Sequence, residues 1–344
     1  MRIRFAEALL LAGLTAGLSA APSTLRADSV ADFYQGKTLT VFVGFGPGGG
    51  YDANARLLGK HLGRFIPGNP DVIVKNMQGA GSKKLLGYFT GVGPKDGTEI
   101  GIVAAESALE PIFRKETAGL FDAAKLSWIG SLNSFTTIGI AMATSGLKTI
   151  EDAKTKPFAM ASTAPGQSPS VYAKMLNDML GTKFNIVNGY KGSAAMSLSM
   201  EQGETVGFLG WCWSCINANK PDWVKDKVVN IFIQFGRRKH PDLADVPWIF
   251  DLLKTEEDKA AARAILASLG PARPFAAAPG IPADRLAALR TAFMKMAQDP
   301  QFLADAERAK RPILPMSGEE AQGVFEETYK TPTAVREKAA QYYK

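Results

Sequence analysis

The chain has 344 residues, enough for about two domains of ordinary size. Apolar residues make up 46% and charged residues 21%, globular values that exclude a disordered chain, a collagen-like repeat and a polytopic membrane protein. The net charge of +7 is spread without a Lys/Arg-rich run, so nucleic acid is not expected as a partner. Only two cysteines and two histidines are present, which nearly rules out a four-ligand zinc site and a disulfide framework.

Arg2 and Arg4 precede an uncharged stretch at 8–21. A membrane-spanning helix needs about 20 apolar residues, so the stretch is too short to span and reads as the core of an export signal over 1–27, cleaved after Ala27. No cysteine follows to take a lipid, and no later segment is long and apolar enough to span a bilayer. A periplasmic protein is expected.

Strands and helices then alternate. Strands are predicted at 37–45, 71–76 and 97–104, with helices at 53–65 and 83–90 between them. The middle repeats the pattern, with strands at 139–143, 158–162, 184–188, 205–209 and 228–235. Helices are expected after Thr149, capped with Asp152, and at 171–180 and 193–202. The last third reads as helical. Leu286, Leu289, Phe293 and Met296 share a helix face, and Ser317 with Glu320 forms a capping box. Strand–helix–strand order predicts an α/β fold of mostly parallel, doubly wound sheets in two domains, with a cleft between them.

Four loops, each after a strand and before a helix, are candidates for the site, because ligands of open α/β sheets bind outside the carboxyl ends of strands. The first, 44–52 (GFGPGGGYD), holds Gly46, Gly48, Gly49, Tyr51 and Asp52. It satisfies a dinucleotide-type glycine pattern, but Asp71, the acid about 20 residues on, starts the second strand where the fingerprint wants it at the end. Pro47 also removes an N–H, and no Lys-Ser/Thr follows, so no nucleotide or other cofactor is expected. Glycines there let backbone amides approach an anion at a helix N-terminus, and Asp52 is expected to cap that helix. The second loop contains Gly79, Ala80, Gly81 and Ser82. The third, 162–170 (STAPGQSPS), offers Ser162, Thr163, Gly166 and Ser168, with Ser168 expected as N-cap before Pro169. The fourth carries Tyr190 and Lys191, a ring to pack on a ligand and a charge to balance it. Hydroxyls and helix amides of this kind hold a carboxylate without an arginine.

The WCWSC stretch at 211–215 admits a thioredoxin-like redox site at Cys212 and Cys215, a closed local disulfide, or two unpaired thiols. Asn217, Asn219 and Pro221 argue against a helix directly after it. His61, on an exposed-looking helix, and His240 lie far apart, and no nucleophile elbow supports a catalytic triad.

The stretches VGFGPGGGYDANARLLGKHL, VIVKNMQGAGS, STAPGQSPS, YKGSAAMSLSMEQGETVGFLG, KHPDLADVPWIFDLL and PARPFAAAPGIPADRLAALRTAFMKMAQDPQF resemble, in order, the substrate-binding receptors of tripartite tricarboxylate transporters, the Bug family. The resemblance implies a two-lobe, Venus-flytrap periplasmic-binding-protein fold, with 28–132 plus 250–344 as one lobe and 133–249 as the other. It implies a small organic carboxylate held between the lobes by the four loops. It also implies delivery to membrane permease subunits, no metal or cofactor, and no catalysis; a monomer is expected. The family's Pro-Phe-Pro-Pro-Gly-Gly run reads 44–49 here as Gly-Phe-Gly-Pro-Gly-Gly, and the tryptophan-rich stretch is not general to the family. Trp211, at a strand end, is a further candidate for the cleft wall. The alternative function is a periplasmic thiol-disulfide oxidoreductase using Cys212 and Cys215.

Overall fold

The computed structural model describes residues 29–114, 117 and 119–344; the expected export segment lies outside the described residues. Among these, no helix is long and apolar enough to cross a membrane.

Among the described residues, eleven strands form two sheets. The first has the order β11-β4-β10-β3-β1-β2, from β1 (Thr38–Val43), β2 (Asp71–Asn76), β3 (Glu99–Ile102), β4 (Ser127–Ser131), β10 (Pro274–Ala277) and β11 (Met316–Ser317). The second has the order β7-β6-β8-β5-β9, from β5 (Thr137–Met142), β6 (Phe158–Ala161), β7 (Phe184–Val187), β8 (Gly207–Cys212) and β9 (Val229–Phe235).

Mostly parallel sheets were expected; both are mixed. Among the strands, β1 pairs parallel with β2 and β3, and β6 with β7 and β8. β5 and β10 pair antiparallel with both their neighbours. The cause is topological. A parallel neighbour needs a crossover helix, whereas β5 and β10 are reached by segments that cross between the sheets. These segments run side by side: Phe135 N–H donates to Leu269 O (2.7 Å), and Ala272 N–H to Asn133 O (3.0 Å).

The predicted strands are all present within a few residues. β4, β10 and β11 were not anticipated. β4 (SWIGS) has no alternation because every residue in it is buried, and β10 begins with Pro274, which sits at a strand's first position. The capping boxes form as expected, at Thr149–Asp152 and at Ser317–Glu320. A further helix, Thr333–Ala340, follows the one that Ser317 opens. Against expectation, a helix, Trp213–Asn219, follows directly on β8, because Asn217 and Asn219 fall in its final turn and Pro221 opens the next helix.

Each sheet buries apolar residues on both faces. On the first, Leu39, Val41 and Val43 of β1 pack with Leu58, Phe293 and Phe302. The opposite face holds Trp128 stacked on Phe325, ring centroids 3.7 Å apart. The second sheet's larger core includes Ala262, Ile265 and Leu266 of the helix Glu256–Leu266, and Ala339 and Tyr342 near the C-terminus. The last third of the chain therefore folds over both sheets, although the boundaries expected from sequence put it with the first. His61, expected on an exposed face, is buried, with Nε2 2.8 Å from Asp305 and Nδ1 3.0 Å from Arg64.

Candidate functional site

The carboxyl ends of β1, β2, β3 and β6 converge on a cavity of about 600 Å³. Phe45 and Tyr51 follow β1, Ala80 and Gly81 follow β2, Ala104 and Glu106 follow β3, and Gly166–Ser168 follow β6. A groove of about 900 Å³, with Trp248, Phe250 and Arg237 in its walls, is larger but receives no ends of the parallel strands. Convergent strand ends make the smaller cavity the candidate site.

The first two loops are built against each other. A Cβ on Gly44 would lie 2.3 Å from Ser82 Cβ, so only glycine allows the approach. The Ser82 hydroxyl is fully buried and accepts from Ala104 N–H (3.0 Å), which ties the second loop to the end of β3. Ala80, Gly81 and Ser82 all have positive φ. Asp52 does not cap its helix; Gly49 occupies the N-cap. Asp52 is instead spent inside the loop. It accepts from Gly48 N–H (2.9 Å), from Arg56 Nε and Nη2 (2.9 and 3.0 Å) and from Asn76 Nδ2 (2.9 Å). The Arg56 guanidinium, then the Gly48 and Asn76 donors, hold its carboxyl down at about 2 against the opposing effect of burial.

Tyr51 is held by one ring and one guanidinium. Phe45 stacks on it at 4.1 Å, and the Arg273 guanidinium lies 4.1 Å from its ring centroid. Arg273 leads into β10 from the crossing segment, and its N–H donates to Ser131 Oγ (2.9 Å). Across the cavity, Ser168 is the first residue of the helix Ser168–Leu180 with Gln167 as N-cap, so the expected cap lies one residue earlier. Gly166 has φ +75°, and a Cβ there would meet both Arg114 Nη2 and Tyr343 O at 2.8 Å. Arg114 and Tyr343 thus close the cavity over Gly166, and Tyr343 stacks on Phe113 (5.2 Å).

Of the residues proposed from sequence, Tyr51, Ala80, Gly81, Gly166 and Ser168 line the cavity. Gly46, Gly48, Gly49, Asp52, Gly79, Ser82, Ser162 and Thr163 shape the loops without lining it. Tyr190 donates to Glu204 (3.3 Å), and Lys191 is exposed, also outside the lining. Trp211 is 6% exposed and packs with Phe208 and Trp223 inside the second sheet's other core. Cys212 and Cys215 form a disulfide at the end of β8.

The sequence reading missed Glu106, Arg114, Tyr172, Tyr343 and Arg273. Glu106 directly follows the third predicted strand, so the strand-end rule that selected the other loops would have found it. Tyr343 has no local signal at all. Glu106 is exposed by area, but that area faces the cavity. Its enclosure pushes the carboxyl up, opposed by its own backbone N–H and by Arg273. Burial likewise raises the hydroxyls of Tyr51, Tyr172 and Tyr343. Lys83 pairs with Glu110 (2.8 Å), with Arg114 3.9 Å from the same carboxylate.

No family model matches the sequence, and no curated protein does. Solved structures do match. A TctC solute-binding protein from Polaromonas is 18% identical with a TM-score of 0.71, over 90% of this chain and 99% of that one. MatC from Rhodopseudomonas palustris, with bound malate, is 16% identical with a TM-score of 0.55, over 88% and 99%. R. palustris Rpa4515, with adipate, is 17% identical with a TM-score of 0.56, over 89% and 98%. The fold is that of the two-lobed periplasmic binding proteins, with two α/β sheets and the cavity between them.

Proposed function

We propose that this chain is an exported receptor of the tripartite tricarboxylate type, which captures a small organic carboxylate in the cavity and presents it to a membrane permease without chemical change. The observation that carries this reading is the convergence of four strand ends, from both sheets, on one cavity of about 600 Å³. Support comes from the sequence motifs, from the export-signal pattern at 1–27, and from the malate and adipate held by two proteins of the same fold.

In this reading the backbone amides near Ala80–Gly81 and Gly166–Ser168 receive the carboxylate, and Tyr51 and Tyr172 form opposed walls. Arg273, stacked on Tyr51, supplies positive charge beside the cavity. Closure is a hinge movement at the paired crossing segments around 132–135 and 269–273, and the closed form is what the permease reads. A thermal-shift screen of mono-, di- and tricarboxylates tests the proposal, because a ligand that binds only the folded protein raises its melting temperature. A dose-dependent rise with a subset of the panel is expected. A flat response across the whole panel would overturn it.

A further inference from the structure

We propose that Glu106 makes this receptor select a ligand with a cationic nitrogen, an ammonium or protonated amine, beside its carboxylate: an amino-acid-like zwitterion. The inference rests on the carboxylate-receptor reading and narrows its ligand class.

Two carboxylates line the cavity, and they differ in what they face. Glu110 is neutralised by Lys83 at 2.8 Å, with Arg114 at 3.9 Å. Glu106 makes no ion pair within 4 Å among the described residues. It stands at the start of the helix Ala105–Phe113 and shares the cavity lining with Tyr51, Tyr172 and Tyr343. Arg273 acts on it as a cation, and its guanidinium stacks on the ring of Tyr51 at 4.1 Å.

The lining side chains therefore carry two basic groups, Lys83 and Arg114, against two acidic ones, Glu106 and Glu110, and show a ligand no net charge. A cavity made for a dianion needs a surplus of positive charge or of donors. This one holds in its wall an acid with no ion-pair partner among the described residues. When the lobes close and water leaves, an unpaired carboxylate is costly, and a second carboxylate beside it adds repulsion. A ligand ammonium removes both costs by pairing with Glu106. The ligand carboxylate can then lie toward Arg273 and the loop amides, and the phenolic walls suit the organic body between them. Opposed charges at fixed positions give selectivity more than affinity.

Calorimetry on the purified protein with ligand pairs that differ by one amine reads this directly: succinate and aspartate, adipate and 2-aminoadipate, phenylpropionate and phenylalanine. In the pair that binds, the amine-bearing member is expected to bind at least tenfold tighter. Glu106→Gln, with an unchanged ligand-free melting temperature, is expected to abolish that preference. Glu106→Asp, which keeps the charge, is expected to retain the preference at reduced affinity, and serves if the glutamine variant does not fold. Equal or tighter binding of the plain carboxylate to the wild-type protein overturns this inference and leaves the carboxylate-receptor reading standing. So does an amine preference that survives in Glu106→Gln. Failure of every pair, with a flat carboxylate screen, removes both.

Discussion

Gly44 and Ser82 are in contact so close that a methyl group on the glycine would sit 2.3 Å from the serine Cβ, with Ser82 Cα at 3.1 Å and Ile102 O at 3.3 Å behind it. Two of these obstacles are backbone and cannot turn away. Gly44→Ala is expected to cost about 2 kcal/mol by overpacking and to lower the melting temperature by several degrees. Gly87 is the control. It lies in the helix Lys83–Gly91 with nothing within 4 Å of an added Cβ. Gly87→Ala is expected to raise stability by about 0.5 kcal/mol, since alanine loses less backbone freedom in a helix. Thermal melts of the two variants check the opposite signs.

Asp52 supplies a pH signature. Its folded-state carboxyl sits near 2, below the ordinary carboxylate value of about 4, mainly through Arg56. The ionised form is thus favoured by folding. Its contribution is fully present above pH about 4 and is lost as pH falls toward about 2. Arg56 is half exposed, so the contribution is on the order of 1 kcal/mol. Melting temperatures between pH 5 and pH 2 are expected to fall less steeply for Asp52→Asn than for the wild type. At neutral pH the variant is expected to be less stable.

Arg273 joins the crossing segment to the cavity through Tyr51, so its loss is expected to act on binding more than on folding. Arg273→Met keeps the stem but removes the charge. Affinity for whichever carboxylate gives the largest thermal shift is expected to drop about tenfold, or about 1.4 kcal/mol. The ligand-free protein should lose about 1 kcal/mol with the cation–ring contact. Titration calorimetry and melting of the ligand-free variant separate the two effects.

The Cys212–Cys215 disulfide closes a loop of four residues at the rim of the second sheet, and by loop-closure entropy it is worth about 2 kcal/mol. The Cys212→Ser, Cys215→Ser double variant is expected to melt a few degrees lower than the oxidised wild type, and to match wild type treated with a thiol reductant. An insulin-reduction assay is expected to show no activity. Turnover that disappears in Cys212→Ser would instead favour the oxidoreductase reading.

The strands and glycine loops were legible because their signals are local. Stretches rich in β-branched and apolar residues mark 38–43 and 71–76, and glycine with helix-capping residues marks the turns that follow. Those signals located Tyr51, Ala80, Gly81, Gly166 and Ser168. They could not separate residues that line the cavity from residues that brace it, so Asp52 and Ser82 were candidates although their polar groups are consumed within the loops. The cavity also recruits Arg114, Tyr172 and Tyr343, and Arg273 packs on its wall through Tyr51; these residues lie far apart in the chain and meet only through packing. The antiparallel strands β5 and β10 escaped the parallel reading for the same reason. Nothing local distinguishes a strand reached by a crossing segment from one reached by a crossover helix.

The central claim is that the cavity between the sheets is the place where a carboxylate is captured. A crystal structure of protein purified with its retained ligand, or soaked with the best ligand from the screen, tests it most directly. A carboxylate-bearing molecule is expected between Tyr51 and Tyr172, in contact with Gly81 and Ser168. A ligand seated instead in the groove beside Trp248 and Phe250, with the cavity empty, would contradict it.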